Sequence, residues 1–536
     1  IYLVVQFIID HVRRKPTDYL CFVGVIFFFV ALMIPLSLLL DSLSSASLIV
    51  ALVIPLLLSG ISRFMVWKGV KPGYYPLALV GLGVVGVVAL RIINPVLFGS
   101  MDAFSVFAPG GASRTTIEMQ PILWPAGKFT LAIVWGNFST SFFLGLISLC
   151  ILVYLTIKQG NTEKSLLVVW SLVILAATIG QRRFAYYFAV NAALLTGYIS
   201  WQALRLAGFK ESVTKVAKMA KDLRIKTVSL KKGSHDAILR RVIMSLYLVI
   251  IFFVVFFWNI EPAVVTAEQA RFAPSDAWVS SLTWMKENTP EPFGNPDAYY
   301  QLYQPPPPGK SYKHPETAYG VMAWWDYGYW ITRIAHRIPN ANPSQDPQPL
   351  TNVAKCFTSQ DEESATEIVK EFGASYIILD HETVTGKFWA VTVWSGKGQS
   401  EFFGIYFLPQ ENGLVPVQLH YPAYYRSFSS RLYNFDGQAV TPENAFVVSY
   451  KEEVGGDGVL RRIITNAQQF TNYEEAESYL LSQGEGNHKI VGVDPLSSPV
   501  PLEPLEHYKL IYSSNDMVTI SNTGPVPAAK VFEYME

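Results

Sequence analysis

The 536-residue sequence is 51% hydrophobic and only 16% charged, where a soluble domain carries about 25% charged residues. Its 42 basic residues balance its 42 acidic ones, so no global electrostatic case exists for nucleic acid as a partner. Cys21, Cys150 and Cys356 are the only cysteines; they permit no disulfide framework and no Cys/His zinc spacing.

The apolar residues concentrate in the first half. Apolar spans fall near 1–9, 19–40, 46–66, 74–93, 140–157, 165–181, 184–204 and 242–260, most of them reaching or approaching the roughly 20 residues a helix needs to cross a bilayer. Pro35 and Pro55 lie inside two of these spans, which membrane helices tolerate. The first span is incomplete and has neither an initiator Met nor a basic leader, so residue 1 is expected to be the cut end of a longer protein. Basic residues cluster at His11–Lys15, Arg63–Lys71 and in the loop 205–241. The positive-inside rule makes these cytoplasmic. Alternation then puts 41–45, 94–139 and everything after 261 outside. The external loop 94–139 is long and rich in Gly, Pro, Ser and Thr, with Phe107–Gly111 reading as a hinge.

Residues 262–536 read as a mixed α/β domain. Ser275 is placed to cap a helix with Trp278, Leu282 and Met285 on one face. Pro305–Pro308 is a polyproline connector. Gln360–Phe372 reads as a helix ended by Gly373, and Tyr376–Leu379 as a buried strand. A helix over Glu474–Leu481 and strands over Lys489–Val493, Lys509–Tyr512, Met517–Ile520 and Lys530–Tyr534 follow.

Three groups of residues carry chemistry. Trp324-Trp325-Asp326-Tyr327-Gly328 sets two donor-only indoles beside an acceptor-only carboxylate. A small hydroxyl, being both donor and acceptor, is a ligand such a set can hold from both sides; core tryptophans with a capping Asp326 are the other reading. Gly328 is expected to allow a sharp turn. Arg182 and Arg183 stand outside between two spans, either snorkelling or facing a phosphate at the lipid surface. Glu118 in Thr115–Pro121 is a solvated loop acid, a metal ligand or a substrate contact; Asp102 is a second acid in that loop.

Taken together, these segments resemble the catalytic subunit of oligosaccharyltransferase in its archaeal or bacterial single-subunit form. Trp324–Gly328 matches that family's signature, and Tyr329–Thr332 and Arg337–Pro343 are similar to archaeal-type members. Thr115–Pro121 is similar to the family's Ser/Thr-x-x-Glu-x-Gln-Pro loop, and Arg183–Phe188 to its pyrophosphate-binding segment. The resemblance implies a polytopic α-helical membrane domain of GT-C-like glycosyltransferase type over 1–261, followed by an extracytoplasmic α/β domain over 262–536. It implies transfer of an oligosaccharide from a polyprenyl phosphate or diphosphate lipid to the Asn of Asn-X-Ser/Thr. Trp324, Trp325 and Asp326 would bind the sequon hydroxyl. Glu118 would ligate Mn²⁺ or Mg²⁺ and contact the acceptor amide. Arg183 would bind the pyrophosphate of the lipid-linked oligosaccharide, while Arg182 has no counterpart.

The sequence departs from the family's pattern in places. Thr116 stands where Val or Ile is usual. The second hydroxyl-pocket motif is placed best, but not cleanly, at 424–432. The family's other catalytic acids precede the region this sequence covers. A polyprenyl-phosphate-sugar O-glycosyltransferase of the same architecture remains an alternative, as does an inactive membrane-anchored binding protein. One sequon, Asn137-Phe138-Ser139, lies by the expected membrane surface.

Overall fold

The computed structural model describes residues 1–13, 17–33, 42–93, 111–207, 209, 235–270, 273–301, 313–411, 413–456, 458–484, 486–521 and 524–536. Pro35, the stretch 94–110 with Asp102 and most of the hinge, the basic residues of 210–234, and Pro305–Pro308 lie outside the described residues. The chain divides into two compact units, Ile1–Ala270 and Arg271–Glu536.

The first unit is helical. A helix overlaps every apolar span: α1 Tyr2–Val12, α2 Asp18–Met33, α3 Ser42–Trp67, α4 Tyr75–Ile93, then a short α5 Ala132–Phe138, α6 Thr140–Gln159, α7 Thr162–Gly180, α8 Ala185–Leu206 and α9 His235–Phe252. A π-turn, Phe253–Phe257, joins α9 to α10 Trp258–Glu268, so the last apolar helix runs past residue 261. Thr140–Gln159, Thr162–Gly180 and Val242–Glu268 are each long and apolar enough to cross a membrane. The π-turn frees backbone carbonyls that need partners inside a membrane. Thr140 Oγ1 donates to the Val254 carbonyl at 2.6 Å, and Asn259 Nδ2 to that of Val255 at 2.6 Å. The core joins α6, α7 and α8 through Phe142, Leu149, Leu152, Val168, Leu175 and Phe188, and is capped at one end by Ile122 and Val134. At Gly145 the backbone of α8 comes close, a side-chain methyl there standing 3.8 Å from Ala192 Cα. Small residues serve this purpose where membrane helices pack.

The second unit is α/β. One mixed sheet has the order β2-β1-β3-β12-β9, formed from β1 Gly320–Met322, β2 Ile338–Pro339, β3 Ala374–Asp380, β9 Tyr508–Ser513 and β12 Ala529–Tyr534. β1 runs parallel to β2 and β3, and β12 antiparallel to β3 and β9. A second sheet, β5-β4-β7-β6-β8, holds the hairpins β4 Phe403–Gln410/β5 Gly413–His420 and β6 Ala445–Val454/β7 Leu460–Phe470, with β8 His488–Val491 beside β6. A ribbon pairs β10 Met517–Ser521 with β11 Gly524–Pro527. The expected strand over 376–379 is the buried β3, and the four later strands are β8, β9, β10 and β12. The expected helices are α11 Asp276–Asn288, α13 Glu362–Glu371 and α18 Tyr473–Ser482, with α12 Pro347–Thr358 between the first two. Gly373 closes α13 with φ +55, a backbone shape glycine adopts without penalty.

Trp278, Leu282 and Met285 are the buried face of α11, although the Ser275 side chain makes no cap bond. The far end of α11 is held by Arg337. Its Nη2 donates to the Met285, Lys286 and Thr289 carbonyls at 3.4, 3.1 and 2.7 Å. A cation there complements both the unpaired carbonyls and the helix dipole, and it fixes α11 to the segment that follows Trp324–Gly328.

Candidate functional site

β1 delivers the tryptophans. The chain leaves its buried Val321 and Met322, passes Ala323 and Trp324, and turns through a 3-10 helix at Trp325–Tyr327 into a helical stretch ending at Ala335. Gly328 is right-handed helical, φ −57 and ψ −41, so it is not needed for a sharp turn. Space requires it: a Cβ there would collide with the Ala341 carbonyl and stand 2.6 Å from Asn342 Cα.

Trp324 is 2% exposed and packs as a core side chain. Trp325 is half-buried, and its indole Nε1 is shut off from solvent with no hydrogen-bond partner among the described residues. Asp326 is partly exposed and accepts from Lys387 Nζ at 2.5 Å through Oδ2. Its Oδ1 has no partner among the described residues. Trp325 and Asp326 thus leave one donor and one acceptor unused on adjacent residues.

Lys387 was not legible as a site residue. It lies between α14 His381–Val384 and α15 Phe388–Trp394. Its Nζ also donates to Tyr327 Oη at 2.9 Å and sits 4.5 Å above that ring. Tyr327 Oη in turn donates to Asp380 Oδ2 at 2.5 Å. Asp380 is buried and fully engaged: Trp278 Nε1 reaches Oδ2 at 3.1 Å, and the Thr383 N–H and hydroxyl reach Oδ1 at 2.9 and 2.6 Å. Trp278 stacks on Tyr327 with centroids 4.0 Å apart. Burial, followed by the Asp380 charge, pushes the Tyr327 hydroxyl well above its ordinary pKa, so it stays protonated and directs its proton to Asp380. Its lone pairs then face Lys387, which is thereby aimed at Asp326. The segment 424–432, the expected place of the second hydroxyl-pocket motif, makes no hydrogen bond to Asp326 among the described residues. It forms α16 Pro422–Arg426 and α17 Phe428–Phe435 and packs behind α14, with Tyr424 Oη donating to the Val384 carbonyl at 2.8 Å.

Glu118 and Arg183 lie in the first unit. Glu118 is exposed in a 3-10 turn, Ile117–Met119. Arg183 sits in another, Arg182–Phe184, joining α7 to α8. The Arg182 N–H donates to the Gln120 carbonyl at 2.8 Å, which stitches the two turns together. The Arg183 guanidinium lies 5.2 Å from the Phe184 ring, and its buried Nε has no partner among the described residues. Both Glu118 and Arg183 act electrostatically on Tyr186, yet no ion pair joins them among the described residues. No group of three His, Cys, Asp or Glu able to hold a metal occurs among the described residues. Glu118 alone supplies one hard oxygen donor of the six or so a Mg²⁺-like ion takes.

A family model described as the AglB core domain matches residues 275–384, from α11 through α14. The dolichyl-phosphooligosaccharide-protein glycotransferase 3 of Archaeoglobus fulgidus is 28% identical over 68% of this chain and 43% of its own length. The dolichyl-monophosphooligosaccharide-protein glycotransferase AglB of Haloferax volcanii is 26% identical over 96% of this chain and 57% of its own. The chain is similar to archaeal oligosaccharyltransferases. Its fold agrees: the structure of AglB from A. fulgidus with an inhibitory peptide and a dolichol-phosphate superposes with a TM-score of 0.68 at 21% identity, over 99% of this chain and 64% of that one. An A. fulgidus oligosaccharyltransferase tethered to an acceptor peptide containing the NVT sequon gives 0.63 at 21% identity, over 99% and 63% of the two chains. One in complex with zinc and sulfate gives 0.62 at 19% identity, over 99% and 62%. This chain spans about half the length of the curated relatives it matches.

Proposed function

We propose that this chain is part of an enzyme that transfers an oligosaccharide from a polyprenyl phosphate or diphosphate lipid to the Asn side chain of Asn-X-Ser/Thr sequons. The first unit serves as a GT-C-like polytopic membrane domain, and the second lies on the extracytoplasmic side. The observation that carries the reading is the pair formed by the unpartnered, buried Trp325 N–H and the unused oxygen of Asp326. A hydroxyl satisfies both at once, as donor to Asp326 and acceptor from Trp325. A peptide without that hydroxyl leaves both unpaired, which is how polar sites discriminate most strongly. Trp324 supports Trp325 from the core.

An amide nitrogen is a poor nucleophile because its lone pair is delocalised, and twisting the C–N bond costs up to about 18–20 kcal/mol. Glu118, exposed and without a hydrogen-bond partner among the described residues, accepts from the acceptor amide N–H and favours the twisted form. Arg183 holds the phosphate of the lipid donor and stabilises the charge that develops as it leaves. Glu118 is also one carboxylate for a divalent cation, Mn²⁺ or Mg²⁺, its other ligands coming from outside the described residues. Such an ion, when bound, supplies further charge stabilisation at the phosphate. The chain's own sequon is a poor substrate when folded: Ser139 is buried and its hydroxyl donates to the Trp135 carbonyl at 3.3 Å.

The test uses the complete polypeptide bearing this sequence, in membranes with lipid-linked oligosaccharide and manganese. The expected result is a mass shift on an Asn-X-Thr peptide that is absent from Gln-X-Thr and Asn-X-Ala peptides. Modification of Ser or Thr in a peptide lacking Asn supports the O-glycosyltransferase instead. No shift, with donor and folded protein verified, overturns the reading.

A further inference from the structure

Between the Glu118 turn and α5 the chain makes a tight projecting turn over residues 123–130. The Thr130 N–H donates to the Leu123 carbonyl at 2.9 Å, and the tip reverses through Ala126 and Gly127 at φ +50 and +79. Its base is fixed, because Ile122 is fully buried in the α6–α8 core. Its flanks are not: Trp124 and Phe129 are 45% and 60% exposed, with rings 5.5 Å apart, and Lys128 is exposed at the tip.

Continuity supplies the partner. Trp135, also exposed, stands 6.5 Å from the Phe143 ring in the first turn of α6. From Phe143 an exposed apolar stripe descends α6 through Ile147 and Ile151 to Tyr154. There Lys158 Nζ lies 5.5 Å from the Tyr154 ring. The helix is about 30 Å long, the thickness of a bilayer's hydrocarbon core. An apolar flank of that length, with Trp at one end and Tyr beside a snorkelling Lys at the other, has the pattern of a lipid-facing helix between two interfacial belts. Trp124 and Phe129 lie on the segment that leads directly into α5, the helix that carries Trp135.

We infer that the 123–130 turn is an interfacial membrane anchor, with Trp124 and Phe129 seated among the outer lipid headgroups and acyl ends and Lys128 beside the phosphates. Aromatic rings occupy this zone because it accepts an apolar body with a polar edge. The anchor has a consequence for the loop. Trp124 follows Glu118 by six positions, at most about 20 Å of chain. The Gln120–Arg182 backbone bond tethers the same segment to the α7–α8 turn. Glu118 is therefore held close to the headgroup layer from both sides.

The experiment places photoreactive benzoylphenylalanine at Phe129 and, separately, at Trp124 in the full-length protein. The protein is reconstituted in nanodiscs of phosphatidylcholine and phosphatidylglycerol. Ile147 on the α6 stripe is the lipid-facing control and Glu367 the solvent-facing one. Lipid adducts at positions 124 and 129 are expected within about threefold of those at Ile147 and at least about tenfold above those at Glu367. Adducts to residues 271–536 in place of lipid, or a lipid yield no higher than at Glu367, overturn the anchor. Both side chains are exposed, so an unchanged melting curve is the folding control, and either position decides if the other variant misfolds.

Discussion

Around Asp326 nearly every described polar group is engaged, whereas the Glu118 carboxylate and the Arg183 guanidinium have no ion-pair partner among the described residues. Asp380 accepts four hydrogen bonds, Tyr327 gives its proton to Asp380 and receives Lys387, and Lys387 bridges to Asp326. Among the described residues of this network, the Trp325 N–H and one Asp326 oxygen are left over. The proposed hydroxyl ligand is neutral and offers little energy per contact, so a site for it must be built in advance and lose no entropy when the ligand arrives. The first unit does the reverse. Glu118 is exposed, and Arg183 has no carboxylate partner among the described residues. The phosphate and metal ion proposed as their ligands carry enough charge to order a side chain by themselves, and an internal ion pair would compete with them.

If that contrast is right, charge changes in the first unit should abolish activity while leaving folding alone. Glu118→Gln and Arg183→Gln are each expected to lower the transfer rate by about 10²–10³-fold, with unchanged thermal unfolding by calorimetry. A loss of stability in either variant would break the comparison, since it would give these side chains a structural partner.

The converse is expected of Asp380→Ala. It strands the Tyr327 hydroxyl, the Trp278 N–H and the Thr383 donors in a buried site, and should cost about 3 kcal/mol of stability. Denaturant titration of the full chain measures it; a change below about 1 kcal/mol would mean the network is not rigid.

A pH effect sharpens the contrast. His420, at the end of β5, is buried 4.4 Å from the Tyr424 ring, and burial pushes its pKa down to about 4. The unfolded chain takes up this proton below about pH 6.5 while the folded chain does not. Stability from this residue is therefore present at neutral pH and falls as the pH drops from 6.5 through about 4. The expected loss is about 2 kcal/mol between roughly pH 7 and pH 5. His420→Phe should remove that increment in urea titrations at the two pH values, and an equal slope in parent and variant would contradict it.

The smallest effect is the most specific. Trp325→Phe removes a buried donor that has no acceptor among the described residues. It is expected to leave stability unchanged or raise it by about 1 kcal/mol. The same change should lower kcat/KM for an Asn-X-Thr peptide by about tenfold and narrow the gap to Asn-X-Ala. A variant both destabilised and unaltered in peptide preference would return Trp325 to the role of a core aromatic.

The parts that were legible share a cause. The apolar helices of the first unit, α11, α13 and β3 announce themselves because transfer from water imposes a periodicity or an unbroken apolar run on the residues themselves. Both hairpins of the second sheet went unread. β4 and β5 contain Pro409 and Pro416, which argue against strands in sequence and are tolerated here in an edge hairpin. The Trp-Trp-Asp pattern and Arg183 were legible as types of chemistry, but their state was not. Trp324 is core, Trp325 holds the unused donor, and Gly328 serves packing and not a turn.

The sequence by itself determined that the first half is apolar enough for membrane helices, that an α/β unit follows, and that a carboxylate sits beside two indoles. Composition and spacing carry that much, because they reflect each segment's own transfer from water. Only the tertiary structure decided that Lys387, 61 residues from Asp326 in sequence, is its ion-pair partner, and that Tyr327, Asp380 and Trp278 orient it. Hydrogen bonds act over about 3 Å, so the partner of a polar side chain is set by where the sheet brings strands and turns together, not by its neighbours in the chain.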